Sequence, residues 1–415
     1  MSKVKYVIIG NATAAIGTVE GIRSVDKYGE IVLISSEPHF TYGRPLISYL
    51  LLGKTTEEKM NYRPLDFYET NHVTTLLGRT VTSIDKNAKA VVLENGEKVS
   101  YDKLAICTGS RPFVPPMEGL DTVEAQTPFM TLDDAHRLSA LLGDQKDKDV
   151  LIIGAGLIGL KCAEGILHLS KSLTIVDMAP RILPNVLDDY GSSFLQTYLE
   201  GLGMKFYLSD SVARFSTPNH AVFQSGMELD FDVLVVAVGV RPNTGLAEEI
   251  GCEVNRGILV DTHSATTVPD VYAAGDCTVS HDIAADTDRI LAILPNAYQQ
   301  GEAAGVNMAG GDKVFDQAFP MNASGFLGLH MITAGSYDGE AYVTTTEDSY
   351  KKLVVRDNKL VGFILIGDVD RGGIYTSLIR DQVPLDTIDF DLIRQHPQLM
   401  AFAKSERAKK LAQPH

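Results

Sequence analysis

Short runs of apolar, β-branched residues alternate with stretches of helical apolar spacing along the first three quarters of this chain. Lys5 to Ile9 reads as a buried strand ended by Gly10, and Ile16 to Arg23 carries its apolar residues at helical intervals. EIVLISSE predicts a second strand, ending at Glu37. The same order returns further on. DVLII predicts a strand, LKCAEGILHL a helix, and SLTIVD a strand ending at Asp177. Alternation of strand and helix argues for parallel sheets in an α/β fold.

The recurrence extends to single residues. VVLENGEKVSYDKLAICTGSRP is followed later by AVFQSGMELDFDVLVVAVGVRPN. Gly96 matches Gly226, Asp102 matches Asp232, Gly109 matches Gly239, and Arg111-Pro112 matches Arg241-Pro242, each pair 130 residues apart. Asn95-Gly96 between apolar runs is a strong hairpin signal. Each copy closes a module that opens with a strand entering a phosphate-type loop, VIIGNATAAIG or LIIGAGLIGL. Two such modules imply two dinucleotides bound together, a flavin and the nicotinamide that reduces it.

From about Val314 the pattern changes to strands, with a hairpin around Asp357-Asn358 and a helix in GGIYTSLIRDQV. The tail from Pro397 reads as a helix, anchored by Leu399, Met400 and Phe402. It carries Lys404, Arg407, Lys409 and Lys410 against only Glu406, which makes it either a docking patch for an acidic carrier or a solvated terminal helix. The expected fold is α/β: two Rossmann-like dinucleotide-binding domains, the second inserted in the first, plus a C-terminal α+β domain. The boundaries are 1–117 with 245–313 for FAD, 118–244 for NAD, and 314–415 for an interface or partner domain.

Composition narrows the classes. At 415 residues, 45% hydrophobic and 22% charged, the chain is globular and long enough for two or three domains. A net charge of −16 argues against nucleic acid. No apolar run approaches the roughly 18 residues of a membrane span. The N-terminal apolar stretch runs straight into Gly10 as a strand would, so a cytoplasmic protein is expected. Cys107, Cys162, Cys252 and Cys277 are far apart, with no metal or redox spacing, and read as buried structural residues.

The candidate chemistry sits at the loops. The dinucleotide fingerprint asks for glycine at three places. The first module offers Gly10, Ala12 and Ala15; the second offers Gly154, Gly156 and Gly159, a complete match in the required strand–loop–helix setting. Glu37 is placed either to accept from both ribose hydroxyls or to be a solvated strand end. Arg44, in the turn Gly43-Arg44-Pro45, suits bidentate contact with a pyrophosphate. Asp177, 23 residues after Gly154, favours NADH by repelling a 2′-phosphate, while Arg181 leaves room for NADPH. PDVYAAGDC brings the chain back to the first module with Asp276, and the helix of 294–310 starts near Pro295, where free N–H groups face an anion or flavin.

These motifs, GNATAAIG with Glu37, TYGRPLISYLLLGK, CTGSRP, GAGLIGL with Asp177, AVGVRPN and AAGDC, resemble those of the FAD- and NAD-dependent pyridine nucleotide–disulfide oxidoreductases over essentially the full length. Within that group the chain looks most like NADH:rubredoxin oxidoreductase and the flavin portion of the NADH-dependent nitrite reductase large subunit. The resemblance implies FAD across Gly10, Ala12, Ala15, Glu37, Arg44, Pro45, Val81, Thr108, Gly109 and Asp276, with Asp276 on the ribityl chain. It implies NADH across Gly154, Gly156, Gly159, Asp177 and Gly239. Thiol-using relatives place a reactive Cys where this chain reads RPLISYL, with Ser48 and Tyr49 instead. Relatives commonly carry Glu where this chain has Lys161, either a cation beside the flavin or a surface lysine on the helix's first turn. The implied activity is transfer of electrons from NADH to rubredoxin or another iron–sulfur protein, singly or as a subunit of a redox complex. The alternatives are a thiol-independent NADH oxidase or peroxide-handling flavoenzyme, and a flavin-bound scaffold.

Overall fold

Two five-stranded parallel sheets that share the order of four of their strands dominate the computed structural model, which describes residues 4–403. In the first, Lys5–Ile9 lies between Glu30–Ser35 and Lys103–Ile106, with Val73–Leu77 and Val271–Ala273 at the edges. In the second, Asp149–Ile153 lies between Ser172–Asp177 and Val233–Val236, with Met204–Leu208 and Gln126–Thr127 outside. Each module adds a three-stranded antiparallel sheet, Val81–Asp85, Ala90–Leu93 and Lys98–Ser100 in one, Val212–Thr217, His220–Phe223 and Glu228–Asp230 in the other. The strand Glu30–Ser35 stops two residues short of Glu37, so the acid stands in the loop beyond the strand.

Parallel strands covered on both faces read as continuous apolar runs, and Lys5–Ile9 shows why. Val7 and Ile9 pack with Val91, Leu104 and Ile258 on one face, whereas Tyr6 and Ile8 pack with Ile16, Val19 and Ala304 on the other. On that second face helix Thr13–Val25 lies against helix Leu294–Met308 at glycine contacts. A Cβ on Gly17 would stand 2.3 Å from the Tyr298 carbonyl, and one on Gly301 would stand 2.0 Å from that of Ala14. This close approach carries the start of helix Leu294–Met308 up to the first nucleotide loop.

The chain divides into two compact units, residues up to 279 with 294–315, and 280–293 with the residues from 316 onward. Both nucleotide modules belong to the first. The sequence reading kept 280–293 with the first module, yet this segment belongs to the second unit, where Ser280–Asp282 pairs with Thr287–Arg289 and Arg289 neutralises the fully buried Asp282. The second unit holds an antiparallel sheet ordered Met321–Phe326, Leu329–Gly335, Lys359–Ile366, Tyr350–Arg356, Glu340–Thr345. Asp357 and Asn358 both have positive φ, 50° and 59°, as a two-residue hairpin turn requires. Helix Gly372–Arg380 closes the core with Tyr375 and Leu378 beside Phe363.

The tail departs from expectation. Leu399–Ala401 is a single 3-10 turn rather than the start of an α-helix, Phe402 is buried, and Met400 is 71% exposed rather than an anchor. Lys404, Arg407, Lys409 and Lys410 lie outside the described residues. Among the described residues no helix is long and apolar enough to cross a membrane.

Candidate functional site

The two nucleotide loops are built by the same three contacts. The Gly10 amide donates to the Ile34 carbonyl and the Gly154 amide to that of Val176, both at 2.8 Å. Cys107 donates back to Ile9, and Ala237 to Ile153, again at 2.8 Å. Gly10 has φ +119° and Gly154 φ +115°, conformations open to glycine. A Cβ would meet the Cys107 carbonyl at 2.1 Å in the first module and the Ala237 carbonyl at 2.3 Å in the second. Cys107 and Ala237 are 130 residues apart, the repeat distance read from the sequence. The repeated segment is therefore the strand that closes against each first glycine.

A cleft of about 320 Å³ opens over the first loop. Gly10, Ala12, Glu37 and Arg44 line one part of it, and Val81, Thr108, Gly109 and Asp276 another. Ala15 and Pro45 stand behind the lining. Ala15 is fully buried in the helix that follows the loop, and Pro45 continues the turn that carries Arg44. Leu294 and Ala297 bring the first turn of helix Leu294–Met308 to the same cleft.

Glu37 is held rather than solvated. Tyr42 donates its hydroxyl to Oε2 at 2.7 Å, and Arg44 pairs with Oε1. The other end of the Arg44 fork donates to the Met130 carbonyl at 3.2 Å. Arg44 thus joins Glu37 to the backbone that begins the second module, instead of standing free for a pyrophosphate. Asp276 makes no hydrogen bond within the described structure. Burial raises its carboxyl above the usual range, and the Arg44 cation pulls the other way. An acid in that position lacks the partners that buried carboxylates otherwise have. A polyhydroxylated ligand chain would supply them.

Asn243 lines the cleft and was not anticipated. Its Nδ2 donates to the Thr108 carbonyl at 2.9 Å, and Thr108 Oγ1 donates to the Asn243 carbonyl at 2.7 Å. The only sequence sign was the RPN that ends the second copy where the first has RPF.

In the second module Gly154, Gly156 and Gly159 form the loop and the start of helix Leu157–Ile166. A Cβ on Gly159 would stand 1.9 Å from the Gly154 carbonyl, whereas one on Gly156 would meet nothing within 4 Å. Ala12 at the matching place in the first module is thereby explained. Asp177 Oδ2 accepts from the Ala155 amide at 2.7 Å, which fixes the acid at the loop. Gly239 has φ +115° and open space around it.

Helix Ile47–Leu51 of the first module meets helix Leu157–Ile166 of the second, where a Cβ on Gly165 would stand 2.9 Å from the Ser48 carbonyl. Ser48 is buried and donates to the Pro45 carbonyl at 3.2 Å. Lys161 lies in the helix's second turn, not its first, and is no surface residue. Its side chain is 15% exposed, pairs with Glu164 at 2% exposure, and sets Nζ 4.4 Å from the Tyr49 ring centroid. All four cysteines are unpaired and buried. Burial pushes the Cys107 thiol up to about 12 and that of Cys277 to about 11, and raises Cys162 and Cys252 as well. Protonated thiols are poor nucleophiles.

Among known proteins, the sequence profile described as "Pyridine nucleotide-disulphide oxidoreductase" matches residues 4–301, and that described as "Rubredoxin NAD+ reductase C-terminal domain" matches 320–383. The chain is 31% identical over 396 residues to "Nitrite reductase [NAD(P)H]" of Bacillus subtilis, covering 93% of this chain and 48% of that one. It is 30% identical to "NADH-dependent phenylglyoxylate dehydrogenase subunit epsilon" of Aromatoleum evansii, covering 90% and 91%. It thus spans about half the length of the first relative and most of the second. The crystal structure of NADH:rubredoxin oxidoreductase from Clostridium acetobutylicum superposes with TM-score 0.74 at 25% identity, covering 95% of this chain and 100% of that one.

Proposed function

The chain belongs to the pyridine nucleotide-disulphide oxidoreductase family, and on that premise we propose that it carries electrons from NADH through FAD to a one-electron acceptor such as rubredoxin or another iron–sulfur protein. It does so alone or as the flavin-bearing part of a larger redox complex. The observation that carries this reading is the pair of nucleotide loops, built by the same contacts in one compact unit. Unpaired cysteines suit a reducing compartment, and we assign the cytoplasm.

FAD, held when bound by the residues of the first cleft, would supply the conversion of a two-electron hydride donor into single-electron transfers, while the protein binds, orients and tunes it. Gly10 lets the backbone approach a pyrophosphate, and the first turn of helix Leu294–Met308 points its N-terminal, partially positive end at the cleft. Asp276 accepts from hydroxyls, and Glu37, fixed by Tyr42 and Arg44, keeps acceptor capacity for a ribose. Asn243 locks the Thr108-Gly109 turn against the cleft. Gly154 and Asp177 do for the second nucleotide what Gly10 and Glu37 do for the first. With the thiols protonated and no cysteine in the RPLISYL segment, electrons leave without a thiol relay.

Anaerobic titration with NADH should bleach the flavin absorbance, and oxidised rubredoxin should restore it. Restoration by oxygen alone, with rubredoxin left oxidised, would assign an NADH oxidase instead. Flavin that NADH does not bleach would assign a scaffold.

A further inference from the structure

The loop after strand Ser172–Asp177 folds back on the second nucleotide loop at a single residue, Ala155. The Ala155 amide donates to Asp177 Oδ2 at 2.7 Å, and the Ala155 carbonyl accepts from the Leu183 amide at 2.9 Å. Residues 178–182 are thereby bracketed against the nucleotide loop beside Asp177, whose Oδ1 also accepts from the Ala179 amide at 2.8 Å. Arg181 lies inside the bracket. Its Nη1 pairs with Asp189 Oδ1 at 2.9 Å, its Nη2 reaches the Pro184 carbonyl at 3.3 Å, and its buried Nε makes no hydrogen bond. Asp189 opens helix Asp189–Gly201 and its side chain is 91% exposed.

One carboxylate oxygen on one guanidinium nitrogen uses a small part of the Arg fork, and a phosphate would use more of it. An ion pair this open to water is weak and displaceable. A 2′-phosphate arriving beside Asp177 therefore meets two carboxylates and a cation already engaged by one of them. We propose that the Arg181–Asp189 pair sets nucleotide specificity, with Asp189 occupying the guanidinium that would otherwise take the 2′-phosphate of NADPH. This rests on the second module being the nicotinamide-nucleotide site, and it adds a second, removable barrier to the one Asp177 provides. Asp177 acts on the phosphate by repulsion. Asp189 acts through Arg181.

The test is equilibrium binding of two probes, 5′-AMP and adenosine 2′,5′-bisphosphate, to the flavin-loaded protein, measured calorimetrically. Asp189→Asn keeps the side-chain volume and removes the charge. It should tighten bisphosphate binding roughly fivefold, the scale of an exposed charge pair, and leave 5′-AMP within about twofold. Asp189→Asn combined with Arg181→Gln should lose that gain. An unchanged bisphosphate-to-AMP ratio in Asp189→Asn overturns the proposal. A gain that persists in the double variant also overturns it, because removal of negative charge would then act without Arg181. Failure of the parent to bind 5′-AMP would overturn the reading of the second module, and this proposal with it.

Discussion

Arg111 stands directly opposite Arg241 in a two-stranded antiparallel ribbon, Ser110–Pro112 against Val240–Pro242. They are the same residue of the two repeated segments, so the repeat pairs with itself where the chain leaves the first module and where it returns. Like charges directly opposite destabilise a strand pair, and here each is drawn aside. Arg111 donates to Asn243 Oδ1 at 2.9 Å, while Arg241 lies over the Phe113 ring at 4.5 Å. The ribbon ties the two modules together and delivers Asn243 to the first cleft.

Asp276 makes no hydrogen bond among the described residues, so a ligand that supplies hydroxyls should bind through it. Asp276→Ala should weaken FAD about 10- to 100-fold, the usual cost of a hydrogen bond to a charged group. Burial raises this carboxyl, so its contribution to apoprotein stability is present below the ordinary carboxylate range and lost as pH rises through the raised value. Asp276→Asn should therefore raise the apoprotein Tm near pH 7, with the difference shrinking as pH falls. Full FAD occupancy in Asp276→Ala would remove the assignment.

The unmodified protein should use NADH at least about tenfold better than NADPH in kcat/KM, because Asp177, held at the second nucleotide loop by the Ala155 amide, would repel a 2′-phosphate in the proposed site. Met178 is 77% exposed and free to change. Asp177→Ala with Met178→Arg should narrow or invert the ratio. Equal kcat/KM for the two nucleotides in the parent is the result that would refute this.

Replacing all four cysteines by Ser should leave NADH turnover with one-electron acceptors intact. The cost should fall on stability, about 1–3 kcal/mol for each buried hydroxyl left without a partner. A single Cys→Ser change that blocks acceptor reduction while NADH still bleaches the flavin would reinstate a thiol relay.

Among the glycines of the second loop, Gly154→Ala and Gly159→Ala should abolish measurable NADH binding, since their Cβ atoms would stand 2.3 and 1.9 Å from backbone carbonyls. Gly156→Ala adds its methyl to open space at φ −78° and should keep the parent Tm within about a degree or raise it, since Ala reduces unfolded-state entropy. Calorimetric NADH titrations and thermal melts of the three variants side by side decide the matter.

Much of the architecture was legible in the sequence because it is locally coded. The strand Lys5–Ile9, the positive-φ Gly10 and Gly154, and the Asp357-Asn358 turn follow from side-chain period and backbone sterics within a few residues. The repeat distance of 130 residues also announced two like modules, and in both the aspartate before the closing strand does the same work. Asp102 accepts from the Lys5 amide at 2.7 Å and Asp232 from that of Asp149 at 2.8 Å.

What only the tertiary structure decided lies in contacts whose partners are far apart in the chain. Asn243 meets Thr108 across 135 residues, and Arg44 meets Met130 across 86. Lys161, a plausible surface residue by position, is drawn into a buried pair because helix Ile47–Leu51 covers its side of the second module's helix. The segment 280–293 joins the second unit because Ala284 is buried in that unit's core and its carbonyl accepts from Arg356 at 2.7 Å across 72 residues, a pairing no local pattern signals. Periodicity and turn chemistry report what a residue does to its own backbone. Burial and charge compensation depend on which distant chain arrives beside it, and that is set only when the modules close.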